Sequence, residues 1–292
     1  MHSAPPPTPS HPLTAEDPRA RTAGRAVRAL GRLSPALAAR VAEAIFCRTV
    51  RKPPRAEEAA VLARAEGFEL RAVGERLQGY RWGSSGGPRL LLVHGWWSHA
   101  GRFATLAEAA ATEGAEVIAF DAPGHGRSSG WRASMPEFAR SLRAVAEAVG
   151  PVDAVIGHSL GGAAALFAMT RGLRVRRAVT IAAPADVTGW ADLFRDALDL
   201  PAPIDARMRR NLERRLALGW HELDVPAQLH TLDVPGLVVH DRGDPDIAFA
   251  EGELLARAWP GARFLSTEGL GHRAVLRDPG VVRDVLAFAL AR

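Results

Sequence analysis

Residues 89–94 read RLLLVH, a near-continuous apolar run rather than an alternating one, and a strand of that kind must be buried on both faces. It predicts a sheet interior with helices above and below. The segments around it keep that pattern. Two paired strands are expected at 68–73 and 77–82, across a turn containing Gly74, and further strands at 115–120, 152–156, 177–182, 236–240 and 262–266. Helical stretches fall between them at 102–113, 135–149, 160–171 and 249–258, with a last one at 279–290. Repeated βα units argue for a parallel sheet covered on both faces by helices. Residues 186–233 interrupt the alternation with helical pieces and no strand, and read as an inserted lid.

The chain has 292 residues, 47% of them apolar, enough for one large core or two smaller ones. No run approaches the roughly 18 apolar residues of a membrane span, and the first residues, MHSAPPPTPSHPL, lack the form of a secretion signal, so a cytoplasmic protein is expected. Residues 1–22 are Pro-rich and read as a disordered tail. Residues 23–66 read as a basic helical extension, in which Val27, Leu30, Leu33, Leu37, Val41, Ala44 and Ile45 recur at helical spacing. Pro35 starts a second helix after Ser34. Lys52-Pro53-Pro54-Arg55 breaks it.

The net charge of +5 sits at this end. Residues 1–60 hold ten basic groups against five acidic ones, leaving 27 of each sign elsewhere, so a nucleic-acid partner is not expected. Packing of the extension on its own domain is the favoured reading, and contact with a membrane surface is the alternative. Cys47 is the single cysteine, which excludes paired-thiol chemistry.

Gly157-His158-Ser159-Leu160-Gly161-Gly162 follows one expected strand and opens the helix AAALFAM. A G-x-S-x-G sequence in that context makes a sharp turn that pushes the serine out at the carboxyl edge of the sheet. There the helix N-terminus favours a developing oxyanion. A serine nucleophile needs a histidine base and an acid to orient it. His272, in Glu268-Gly269-Leu270-Gly271-His272, follows the last expected strand at the same edge. For the acid, Asp241, Asp244 and Asp246 compete after GLVVH. Asp244 is favoured, because it lies far enough past the strand end to turn back over the edge, with Asp246 and then Asp241 behind it. Backbone N–H groups of Leu160 and Trp96 are the expected oxyanion donors. His94 braces the His94-Gly95 turn. Asp121, His125 and Ser128 brace the loop Asp121-Ala122-Pro123-Gly124-His125-Gly126-Arg127-Ser128.

HGW at 94, DAPGHGRS at 121, GHSLGG at 157, the aspartate-rich turn at 241–246 and GLGH at 269 together resemble the α/β-hydrolase superfamily, in its serine-nucleophile esterase branch. The resemblance covers about residues 68–292 of the domain read as 67–292. It implies an α/β-hydrolase fold, with a mostly parallel eight-stranded sheet, helices on both faces and a short helical lid between the sixth and seventh strands. Asp241 departs from the family pattern, which usually has Gly there. The resemblance implies a serine hydrolase that cleaves a carboxylic ester or thioester through an acyl-enzyme, without metal or cofactor. The lid holds six arginines against nine acids and offers no evident capture site for an anion. Trp97, with Trp190, Phe194 and Trp220 of the lid, is expected to line the substrate site, which points to a small or medium hydrophobic acyl group. Two alternatives are a ligand-binding module on the same fold and a cofactor-free haloperoxidase-type activity. Metal hydrolysis is disfavoured, since the histidines show no ligand spacing of the H-E-x-x-H kind.

Overall fold

The computed structural model describes residues 17–291. The chain begins with helices α1 (Pro18–Leu33), α2 (Pro35–Phe46) and α3 (Ala56–Ala63). Strands β1 (Glu66–Ala72) and β2 (Glu75–Trp82) form a hairpin whose two turn residues, Val73 and Gly74, both have positive φ, as a tight hairpin turn requires. The βα alternation follows as β3 (Arg89–Val93), α4 (Ala104–Thr112), β4 (Glu116–Phe120), α5 (Met135–Val149), β5 (Val152–His158), α6 (Leu160–Met169) and β6 (Val175–Ile181). Helices α7 (Gly189–Leu198) and α8 (Ala202–Leu216) interrupt it. It resumes with β7 (Gly236–Asp241), α9 (Phe249–Ala258), β8 (Ala262–Thr267), the single turn α10 (Gly271–Ala274) and α11 (Pro279–Ala289).

The eight strands form one sheet in the order β1-β2-β4-β3-β5-β6-β7-β8, antiparallel where β2 meets β1 and β4, and parallel elsewhere. The apolar run of β3 explains its central place: Leu90 to Val93 are buried on both faces. Helix α6 is buried along its whole length, so its small residues let it lie close on the sheet. Register then sets the carboxyl edge. Val93 pairs with Gly157, which puts the turn after β3 beside the turn after β5. Asp241 pairs with Thr267, which puts the loops after β7 and β8 side by side.

The chain divides into two compact units. Among the described residues, the sheet unit comprises 49–185 and 225–291, and includes α3. Among the described residues, the helical unit comprises 17–48 and 186–224. The boundaries therefore differ from those read in the sequence. Residues 18–22 are helical rather than tail, residues 56–63 belong to the sheet unit, and the insertion that joins the helical unit ends at 224, with the 3-10 turn Pro226–Thr231 returning to the sheet unit. Residues 1–16 of the expected tail lie outside the described residues.

In the helical unit the N-terminal helices have their apolar seat on α7 and α8. Helix α2 starts where the sequence predicts, with the Ser34 hydroxyl accepting the N–H of Leu37 at 3.3 Å, a cap worth about 1 kcal/mol. The break at Ser34 changes the helical register, so Leu33 and Leu37, expected on the apolar stripe, are exposed at the corner. The buried face is carried by small residues: Ala20, Gly24 and Val27 from α1, and Ala38, Ala39 and Ala42 from α2. Their partners include Phe194, Ile204, Met208 and Leu212. Arg28 Nη1 donates to the carbonyls of Leu198 (2.7 Å) and Asp199 (3.0 Å), closing the end of α7. A side chain at Gly24 would put its Cβ 2.1 Å from the Leu198 carbonyl oxygen. Gly24→Ala is therefore expected to cost about 1–3 kcal/mol and to open residues 186–224 to protease. Thermal denaturation and the cleavage map of the variant test this.

No helix among the described residues is long and apolar enough to cross a membrane.

Candidate active site

Ser159 is the one residue between β5 and α6, and it sits at φ 54° and ψ −129°. A non-glycine residue held there costs of the order of 1–3 kcal/mol and needs surroundings that enforce it. Those surroundings are steric. A Cβ at Gly157 would lie 2.5 Å from the Gly162 Cα, and one at Gly161 would lie 2.2 Å from the Val93 carbonyl oxygen. The Ser159 N–H donates to the Ile181 carbonyl at 2.9 Å, and its own carbonyl accepts the N–H of Gly162 at 2.9 Å. The backbone is thus gripped on both sides of the serine.

The turn after β3 closes against it. A Cβ at Gly95 would come within 2.8 Å of the Ser159 Cβ and 3.3 Å of its Oγ, so only glycine allows that approach. His94 braces the turn: its Nδ1–H donates to the Gly95 carbonyl at 2.7 Å, and its Nε2 accepts the Ala122 N–H at 3.0 Å. His125 Nε2 accepts the N–H of Trp97 at 3.0 Å, which removes that donor from the site. The N–H groups of Trp96 and Leu160 have no protein acceptor among the described residues. Burial holds His94 at a pKa of about 4 and His125 well below its ordinary value, so both rings are neutral braces at pH 7. Asp121 ties the neighbouring loop, accepting the N–H of Ala100 and of Arg127 at 2.8 Å each, while its carbonyl accepts the Ser128 hydroxyl.

On the far side, His272 Nδ1–H donates to Asp244 Oδ2 at 2.8 Å. The other Asp244 oxygen accepts the N–H groups of Asp246 (2.7 Å) and Ile247 (2.9 Å), which fixes the carboxylate. His240 Nε2–H donates to the Ile247 carbonyl at 3.1 Å and lies 3.6 Å from Asp244 Oδ2, bracing the same loop from below. The His272 backbone is held as well, because its carbonyl accepts His158 Nε2–H at 2.8 Å. Burial and then the field of His272 keep His158 neutral. Of the three competing acids, Asp246 is 4.0 Å from the opposite ring nitrogen and is bonded to Arg273 at 3.2 Å. Asp241 bonds to neither ring nitrogen.

Asp241 has another task. Its carboxylate accepts the Gly243 N–H (2.9 Å), the Thr267 hydroxyl (2.7 Å) and the Leu270 N–H (3.0 Å), so one buried group spans the loop that carries Asp244 and the loop that carries His272. Burial works against its charge. The Thr267 hydroxyl and the N–H groups of Leu270, Gly271 and Gly243 overcome that and hold the carboxyl below its ordinary value.

The residues expected to line a substrate site divide between the units. Trp97 is half-buried in the sheet unit, with the Lys52 ammonium 5.7 Å from its ring centre. In the helical unit Trp190 is half-buried, and Trp220 packs on the core beneath the Arg209 guanidinium, 5.1 Å away. Phe194 corrects its expectation: it is fully buried in the core of its own unit, edge-on to Phe46 at 5.1 Å. Helical periodicity cannot separate a core aromatic from a site aromatic when the seat is a helix some 150 residues away in sequence.

A family model described as the alpha/beta hydrolase fold matches residues 88–213. The chain is 31% identical over 240 residues to the pimeloyl-[acyl-carrier protein] methyl ester esterase of Xanthomonas campestris pv. campestris, a match covering 68% of this chain and 94% of that protein. The chain belongs to the α/β-hydrolase superfamily. It is also 35% identical over 103 residues to a serine hydrolase-like protein of Danio rerio, covering 34% of this chain and spanning about a third (31%) of that relative. An esterase from Exiguobacterium antarcticum shares the hydrolase fold, with a TM-score of 0.60 at 18% identity over 77% of this chain and 99% of that one.

Sequence reasoning missed His158, His240 and Asp241 as braces of the two loops. A signal existed only for Asp241, as an acid where the family usually has glycine. Because its folded pKa is depressed, ionised Asp241 stabilises the fold above the ordinary value of 3.8, and that contribution is lost as pH falls through the lower folded value. Asp241→Asn is expected to cost about 1–3 kcal/mol at neutral pH. Its Tm deficit against the wild type should close on acidification below 3.8, which melting curves across pH measure directly.

Proposed function

We propose that the protein is a serine esterase that cleaves a carboxylic ester or thioester of a small to medium acyl group. Ser159 Oγ attacks the carbonyl carbon while His272 takes its proton. Asp244 holds the imidazole in the tautomer that leaves Nε2 as acceptor, and stabilises the imidazolium that forms. The N–H groups of Leu160 and Trp96 bind the oxyanion. The protonated His272 then gives its proton to the departing alkoxide or thiolate, leaving an acyl-Ser159 ester that water, activated by His272, hydrolyses.

The observation that carries this reading is the 2.8 Å bond from His272 Nδ1–H to Asp244 Oδ2, with the His272 carbonyl bonded at 2.8 Å to His158, the residue before the strained Ser159. Two N–H groups without protein acceptors beside that serine support the oxyanion role. The identity to an esterase along most of its length supports the ester as substrate. Half-buried Trp97, next to the oxyanion turn, supports an apolar acyl group.

A panel of nitrophenyl esters of graded chain length, with acyl-CoA thioesters alongside, reads the acyl and leaving-group preference. Labelling by a fluorophosphonate probe reads the nucleophile. Ser159→Ala and His272→Ala should each lower kcat by about 10⁶-fold, since members of a triad act as a unit. Asp244→Asn should lose on the order of 10⁴-fold, whereas Asp246→Asn should stay within about tenfold of wild type, because its carboxylate does not bond to Nδ1. A folded preparation with no label at Ser159 would leave a ligand-binding module as the better description.

A further inference from the structure

The segment between α2 and α3 brings a cation to the candidate site. Lys52 is the only lysine in the chain. Its ammonium lies 5.7 Å from the ring centre of Trp97, two residues beyond the Gly95 turn that abuts Ser159. Two arginines converge on the same place from other elements. Arg273 directly follows His272 and bonds to Asp246 at 3.2 Å, the carboxylate 4.0 Å from His272 Nε2, and Arg102, five residues beyond Trp97, bonds to Glu58 at 3.1 Å. The fields of Arg273 and Arg102 both reach Lys52 and, with its partial burial, hold its ammonium below the ordinary lysine value.

Among the described residues, Glu57, Glu58 and Asp246 face five cations in this cluster, Lys52, Arg55, Arg102, Arg273 and Arg277, and do not balance them. Arg102 uses Nη1 on Glu58 at 3.1 Å, but Glu58 is buried and also takes the Arg55 guanidinium at 2.8 Å. Asp246, the carboxylate whose field reaches Lys52, is engaged by Arg273 at 3.2 Å. Lys52 is left as the charge in excess, exposed and adjacent to the oxyanion turn. A positive cluster of this kind attracts anions and holds them when they arrive. Residues 186–233 hold six arginines against nine acids and offer no such surplus. The cations come instead from the sheet unit.

We propose that Lys52, with Arg102 and Arg273, forms an anion-binding subsite beside Ser159, so that the preferred ester carries a second group, a carboxylate or phosphate, at the far end of its acyl chain. This rests on the serine-esterase reading for the position of the ester, and on the cations for the position of the second charge. The anion pairs with the Lys52 ammonium over Trp97, while the apolar chain between it and the ester lies on the indole.

The test compares three nitrophenyl esters of one chain length: hexanoate, the half-ester of adipate, and 6-phosphooxyhexanoate. The readout is the ratio of kcat/KM for each charged ester to that for hexanoate, in wild type, Lys52→Glu and Lys52→Arg. In wild type at low salt the ratio for at least one charged ester should exceed about fivefold and shrink as salt is added. Lys52→Glu should bring it to or below one, mainly through KM, and Lys52→Arg should restore it. The ester with the larger Lys52-dependent ratio identifies the carboxylate or the phosphate as the natural group. A ratio near one in wild type, or one unchanged by Lys52→Glu, overturns the subsite and leaves the esterase reading standing. Should no ester be cleaved and Ser159 resist the fluorophosphonate, the esterase reading fails. Calorimetry then decides the subsite alone: adipate or 6-phosphooxyhexanoate binding at least fivefold tighter than hexanoate, and no longer so in Lys52→Glu, supports it, and equal binding overturns it.

Discussion

The space a Cβ would need at Gly161 is already filled by the carbonyl oxygens of Val93 and His94, at 2.2 and 2.5 Å from it. That close approach of α6 to the end of β3 is the constraint on which the carboxyl edge rests. It brings the helix N-terminus down onto the sheet, forces Ser159 into a backbone conformation it would not choose alone, and aligns the Gly95 turn against it. The strain is of the order of a few kcal/mol at most. Burial of Leu166, Phe167 and Met169 along α6 offsets it, since each such side chain contributes about 1.5–3 kcal/mol. The elbow is therefore stable because the helix behind it is fully enclosed.

Around that elbow the protein uses histidine as an uncharged bracket. His94, His125, His158 and His240 each engage a backbone carbonyl, and burial keeps each of them below its ordinary pKa. A neutral imidazole can donate on one nitrogen and accept on the other, which a lysine or an arginine cannot do. Negative charge is placed differently. Asp241, the last residue of β7, and Asp244 in the loop that follows stand three residues apart. Asp241 spends its oxygens on the backbone and on Thr267, while Asp244 keeps Oδ2 for His272. The first fixes the two loops and the second uses the geometry so fixed.

How much of this is legible in sequence depends on range. The buried strand at 89–93, the elbow around Ser159 and the cap at Ser34 are local patterns, set by neighbours within a few residues. The Asp244–His272 pairing spans 28 residues and could still be argued from strand ends. The bond from His158 to the His272 carbonyl spans 114, and nothing in GHSLGG marks its histidine as a bracket. The same limit applies to Leu33 and Leu37, which share a spacing with buried neighbours yet fall outside the interface once Ser34 resets the helix. Phe194 reads in sequence as a site aromatic, because nothing local signals Phe46.

The helical unit carries that limit furthest. Helix α8 presents Ile204, Met208, Leu212 and Leu216 at spacings of four, a stripe too apolar for water and facing no strand of its own. Helix α7 ends in carbonyls that its own residues do not satisfy, and Arg28 supplies donors from 170 residues away. Arg215 likewise pairs with Glu43 across 172 residues at 2.9 Å, where both side chains are mostly withdrawn from solvent. An insertion with an uncovered apolar stripe and open carbonyls is not a folded body by itself. The N-terminal helices supply what is missing. Residues 18–46 are therefore a structural half of the insertion, separated from it in sequence by the whole of the sheet's first six strands, and Arg28 among them is committed to that unit.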